Sequence, residues 1–113
     1  MPAFKKADQG KSRLDLLPFA ALEEVGKVLT FGSQKYAPHN WRRCPSRARY
    51  LAAALRHLFA WGRGEDNDPE TGLSHIAHAS CCTIFLLGLI LDGRAADDRD
   101  RSPQEPDTVE RAR

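Results

Sequence analysis

Apolar residues in this chain recur at helical spacing in three stretches, and nowhere in the strict alternation of a half-buried strand. From Phe19 to Thr30, Leu22, Val25 and Leu29 share one stripe while Glu23, Glu24 and Lys27 point elsewhere, which predicts a first helix. Pro18 suits its first turn, where a missing N–H costs nothing. Gly32 and Pro38 then interrupt the pattern, and Phe31, Tyr36 and Trp41 predict a structured aromatic connection with one helical turn near 33–36. Ser46 is placed to cap a second helix, Arg47 to Gly62. That helix sets Tyr50, Ala54, His57 and Trp61 on one side, beside a stripe of Arg49, Ala53, Arg56 and Ala60.

Gly62 and Gly64 end the second helix, and four carboxylates follow within six residues, Glu65, Asp66, Asp68 and Glu70. Pro69 and Glu70 read as the opening of a third helix that runs to about Asp92, polar through His75 and His78 and almost wholly apolar from Ile84 to Leu91. So broad an apolar surface exceeds what two short helices can cover, which predicts a homo-oligomer. The fold class expected is all-α: a small bundle of about three main helices with a structured aromatic connection. Its helical domain spans residues 1–93, and the composition of residues 94–113, with Val109 the one branched aliphatic, predicts a disordered charged tail.

Composition adds few constraints but useful ones. At 113 residues, 42% hydrophobic and 28% charged, the chain reads as one soluble domain. No apolar run approaches the roughly 18 residues of a membrane span, and the N-terminus has no secretory pattern, so a cytoplasmic location is expected. Three cysteines, two of them adjacent at Cys81 and Cys82, make a poor disulfide framework and suit a reducing compartment. Charge is unevenly spread: residues 1–63 hold 12 Lys/Arg against 4 Asp/Glu, and 64–93 hold no Lys/Arg against 5 Asp/Glu. A basic half beside an acidic loop suits an anionic ligand that carries a divalent cation, although two faces that merely pair with each other would look the same. A net charge of +2 does not call for a nucleic-acid polymer.

The chemistry-bearing residues gather around one helix-loop-helix hairpin. Asp66, Asp68 and Glu70 alternate like the start of a calcium loop, but the glycine falls at Gly72 and the closing position at Ala77, so an EF-hand is excluded. Carboxylate oxygens at Glu65, Asp66, Asp68 and Glu70 suit magnesium or manganese, and equally suit a solvated capping loop. His75 and His78, three apart, share a helix face, and His57 lies across the hairpin. They can form a nitrogen-rich metal site, act as general acids, or simply satisfy buried partners. Lys11, Arg13, Lys35, Arg49 and Arg56 are candidate phosphate contacts, and Asn40 with Trp41 can read and stack on a base. Walker, Rossmann and nucleophile-elbow patterns are absent, and Cys81-Cys82 lie mid-helix where a thiol is usually inert.

Several of these residues stand in a specific order: Gly10-Lys11, Arg13-Leu14-Asp15-Leu16-Leu17-Pro18, Leu29-Thr30-Phe31-Gly32, Lys35-Tyr36, His39-Asn40-Trp41, Arg49-Tyr50, Arg56-His57, Trp61, Gly64-Glu65-Asp66, Asp68-Pro69-Glu70, Gly72, His75 and His78-Ala79. Over roughly residues 9 to 88 this resembles the N-terminal domain of phage-type dATP/dGTP diphosphohydrolases. The resemblance implies a nucleotide-binding domain over 1–93, acting in the host cytoplasm. It implies metal-dependent cleavage of a purine deoxynucleoside triphosphate to monophosphate and pyrophosphate, with Mg2+ or Mn2+ as cofactor. In an enzyme built from these residues, Lys11, Arg13, Lys35, Asn40, Trp41, Arg49 and Arg56 would hold substrate, Glu65, Asp66, Asp68 and Glu70 metal, and His57, His75 or His78 would manage a proton. All-helical pyrophosphohydrolases of the MazG type use Glu-x-x-Glu and Glu-x-x-Asp pairs. Glu65-x-x-Asp68 has the second spacing, whereas Glu23-Glu24 is followed by no acid three residues on. A phage protein that sequesters a nucleotide without turnover, such as a host defence signal, is the alternative, and a structural helical oligomer is the third.

Overall fold

The computed structural model describes residues 2–101. Its helices are α1 (Phe19–Lys35), α2 (Arg47–Gly62) and α3 (His75–Leu91), with 3₁₀ turns at Leu14–Leu16 and Asn40–Arg43. Among the described residues there is no strand, only two isolated bridges, so the all-α expectation holds. Helix α3 is the shared element, packing against both α1 and α2.

Helix α1 runs five residues past Thr30, straight through Gly32. One glycine inside a helix costs about 1 kcal/mol. Burial of Val25 and Val28 against Ala77 and Cys81 of α3 returns more, at about 1.5–3 kcal/mol per large apolar side chain. Pro18 sits just before the first turn rather than in it.

Helix α2 has the bounds that its sequence implies, but its start is capped differently. The Ser46 hydroxyl caps no α2 N–H and instead bonds the Asp98 carboxylate, whose Oδ1 accepts the Ala48 N–H at 3.1 Å. Asp98 thus supplies the oxygen that an N-cap usually provides. Arg47 N–H donates to the Ala96 carbonyl at 3.1 Å, and Ala96 N–H to that of Pro45 at 3.0 Å. The segment that composition assigns to the tail therefore begins, over 94–101, with fixed partners at the start of α2, and its remainder, 102–113, lies outside the described residues.

Helix α3 begins at His75, not at Pro69 or Glu70. Ser74 is its N-cap, its side chain accepting the Ile76 N–H at 3.1 Å. The start moves because Asp68 closes a turn of its own: its Oδ1 accepts the N–H of Glu70 (2.8 Å) and Thr71 (3.1 Å), and Gly72 then takes a left-handed φ of 72°. Glu70 is consequently a loop residue and not a helix-terminal acid.

The face of α2 carrying Tyr50, Ala54 and His57 meets α3, as its spacing predicts: Ala54 is buried, Tyr50 touches Phe85, and His57 meets His75 and His78. Leu51, Leu55 and Leu58 on α2, and Ile76, Leu87 and Ile90 on α3, remain exposed.

Candidate functional site

The loop 65–74 joins the end of α2 to the start of α3 and is closed by hydrogen bonds of its own backbone. Asp68 N–H donates to the Leu73 carbonyl (2.8 Å), Gly72 N–H to that of Asp68 (2.7 Å) and His75 N–H to that of Asp66 (2.9 Å). Its entry is the left-handed Gly64, φ 103°. The helix spacings and this closed loop bring His57, His75, His78, Glu65, Asp68 and Thr71 together.

His75 is buried, and both of its ring nitrogens are engaged. Nε2 lies 2.6 Å from Glu65 Oε1, and Nδ1 lies 2.9 Å from His57 Nδ1. A carboxylate only accepts, so Nε2 carries the proton toward Glu65 and Nδ1 presents its lone pair to the Nδ1–H of His57. His78 stacks on His57 with centroids 4.6 Å apart and an interplanar angle of 14°, and its Nε2 is 2.7 Å from the Thr71 hydroxyl. Burial pushes the His57 imidazole below its ordinary value, and the neighbouring His78 and His75 add to this. Burial likewise lowers His78, opposed by the Asp68 carboxylate. For Asp68, burial raises the carboxyl, but the Thr71 and Glu70 N–H groups and the two imidazoles outweigh it, so the acid is held below the usual carboxylate range.

The four carboxylates expected to surround one metal ion turn to separate partners. Glu65 binds His75, Glu70 forms an exposed ion pair with Lys35 Nζ at 2.7 Å, and Asp68 bonds its own loop. Asp66 is exposed and contributes its carbonyl to the His75 N–H. Among the described residues, the only three ligand groups within 4.8 Å of one another are His57, Asp68 and His75. Magnesium prefers a near-octahedral shell of oxygens, and this set offers two nitrogens and one carboxylate, a poor fit.

The candidate substrate residues spread more widely. Lys11 and Arg13 stand on the exposed N-terminal segment, Arg13 paired with Asp15 at 2.8 Å. Arg56 is exposed, yet near enough for its charge to lower both His57 and Cys82. Arg49 lies seven residues back along α2, about 10 Å by helix rise. Asn40 and Trp41 line a cleft of about 720 Å³ between α1, the 36–42 connection and α3. Trp41 stacks on Phe85 (centroids 5.6 Å, 11°), Tyr50 tilts against Phe85 at 5.3 Å, and the Arg42 guanidinium lies 5.4 Å from the Trp41 centroid. His39, with a left-handed φ of 62°, starts the turn that swings Trp41 onto α3. The cleft therefore sits about two helical turns along the α2–α3 hairpin from the histidines.

Sequence reasoning gave no role to Thr71, Phe85 or Gly88. Thr71 carries no signal, being one polar loop residue among many. Gly88, a glycine inside an otherwise apolar helical run, was a visible anomaly: a Cβ there would lie 2.9 Å from the Trp41 ring.

Comparison with known proteins adds the family. The family model for dATP/dGTP diphosphohydrolase, N-terminal, matches residues 2–99. A Salmonella phage PMBT28 protein named dATP/dGTP diphosphohydrolase is 40% identical over 101 residues, covering 89% of this chain and 34% of that protein. The chain thus spans about a third of that relative's length. No solved structure matches. No helix among the described residues is long and apolar enough to cross a membrane. With a family match running through the 3₁₀ turns, the cleft, all three helices and the histidine loop, the chain belongs to the dATP/dGTP diphosphohydrolase N-terminal family.

Proposed function

We propose that the chain acts on purine deoxynucleoside triphosphates in the host cytoplasm, cleaving the bond between the α and β phosphates to release monophosphate and pyrophosphate. The observation that carries this reading is the placement, on one hairpin of a chain of this family, of an aromatic cleft and an imidazole–carboxylate cluster about two turns apart. The cleft walls of Trp41, Tyr50 and Phe85 suit a flat base, and Asn40 supplies a donor and an acceptor for its edge. Arg56, whose charge is felt at His57, takes the phosphates in this reading, with Arg49, Lys35, Lys11 and Arg13 as further phosphate contacts.

Magnesium or manganese enters this reading on the triphosphate itself, as it commonly does at sites with few protein carboxylates, and screens the phosphate charge. Water is the nucleophile. His57 and His78, held neutral near neutral pH by burial, are suited to take its proton, while the Thr71 hydroxyl and the His75–Glu65 pair fix the rings.

The test is incubation with dGTP and dATP in magnesium, followed by chromatography. Monophosphate and pyrophosphate are expected, with turnover falling at least about 100-fold in Asp68→Asn, because the Asp68 charge favours the proton that His57 or His78 takes from water. The fold should survive that change, because an amide oxygen still accepts the loop N–H groups. Unchanged triphosphate overturns the reading. A specific observation favours a second one in that event: the carboxylates of the acidic loop are divided among separate partners, as a domain that only sequesters nucleotide would tolerate. A nucleotide-dependent rise in melting temperature without products would identify it.

A further inference from the structure

We infer that His57, His75 and Asp68 form a binding site for a divalent transition-metal ion, with Glu65 as the positioning residue of His75. Two imidazole nitrogens and one carboxylate are the donor set that suits iron, manganese, cobalt or zinc rather than magnesium. The spacing agrees. Two nitrogens bound at about 2.1 Å and roughly 90° apart lie about 3 Å from each other, and the two Nδ1 atoms are 2.9 Å apart. Asp68 brings a carboxylate oxygen within 4.8 Å of both.

The second observation is the outer partner. Ligating histidines usually donate their other N–H to a carboxylate or carbonyl, which fixes the tautomer and strengthens the ligand. Glu65 stands in that position on His75 Nε2, at 2.6 Å, and leaves the lone pair on Nδ1, which faces His57 at 2.9 Å. Asp68 is prepared in the same sense, since its Oδ1 is held by two backbone N–H groups. When the ion binds, the proton on His57 Nδ1 moves to Nε2 and the nitrogen it leaves becomes a ligand.

The site shares His57, His75 and Asp68 with the nucleotide reading, but its test is independent of turnover, because a metal alone is the probe. Purified metal-free chain is titrated with Co2+ and followed by visible absorption, and separately with Zn2+, Mn2+ and Mg2+ by calorimetry. One Co2+ per chain with a ligand-field spectrum is expected, lost in His57→Gln and in Asp68→Asn, and weakened about 10- to 100-fold in Glu65→Gln. Helical circular dichroism checks that each variant is folded, and the surface change Lys27→Gln serves as a control that keeps binding. Absence of the spectrum, its persistence in folded His57→Gln and Asp68→Asn, or Mg2+ binding as tightly as Co2+ would each overturn the inference. Nucleotide turnover in magnesium alone leaves it standing or falling on these titrations only.

Discussion

Gly88 and Trp41 fit as a pair: the α-carbon of Gly88 faces the indole so closely that an added Cβ would meet ring carbons at 2.9 and 3.0 Å. Glycine inside a helix is normally a weakness, and alanine there would gain about 1 kcal/mol from helix propensity. Here the added methyl must displace a ring already held by Phe85, and overpacking costs about 1–3 kcal/mol. Gly88→Ala should therefore lower the melting temperature slightly or leave it unchanged, and Gly88→Val should lower it by several degrees. Both should alter near-ultraviolet dichroism, which reports the Trp41 environment. A clear rise in stability would show that the indole is free to move.

The cap on α2 comes from Asp98, fifty residues on in sequence, and that gives a pH signature. Its carboxyl is held below the usual range by the Ser46 hydroxyl and the Ala48 N–H. A depressed folded value means stabilisation present above the unfolded carboxylate value of about 3.9 and lost as pH falls through the folded one. Asp98→Ala should melt a few degrees below the parent at pH 7, and the gap should narrow as pH falls below the unfolded carboxylate value. A gap that stays constant over that range would deny the contact.

Thiol reactivity should separate the three cysteines. Burial pushes the Cys81 thiol up to about 12 and raises Cys82 as well. Native protein treated with iodoacetamide at pH 7.5 should take one label, at half-buried Cys44, and three once unfolded. Mass spectrometry of the peptides decides the matter, and fast labelling at Cys81 would mean that the contact with α1 opens readily.

Self-association is expected through the leucines and isoleucines that the bundle leaves in solvent, since contiguous exposed apolar surface marks interaction sites. Leu55 is 41% and Leu87 54% exposed. Light scattering should give a mass above 12.6 kDa for the parent, and that value for Leu55→Glu with Leu87→Glu. A parent that is already monomeric at high concentration would rule this out.

Helix α2 was legible at both ends because Ser46 and the Gly62/Gly64 pair are strong local signals. The end of α1 was not, since tertiary burial of Val25 and Val28 outweighs a single glycine. The start of α3 was misplaced because Pro69 imitates a helix opening, while the turn made by Asp68 and Gly72 depends on side-chain bonding that spacing does not reveal. That His57 would meet His75 and His78 followed from helix periodicity alone. That Glu65 would serve a histidine rather than an ion did not, because loop carboxylates have no period. The Asp98 cap was hidden for the opposite reason: a composition typical of solvated tails says nothing of one residue that finds a helix end.

The segment between Gly64 and Ser74 is bonded through its own amides before any ligand arrives. The entropic cost of ordering that stretch is therefore met during folding of the chain and not at encounter. Arrival of a ligand should accordingly follow a single phase whose speed scales with concentration, and slow hydrogen exchange at the bonded amides of Asp68, Glu70, Thr71, Gly72 and Leu73 should be measurable in the free protein.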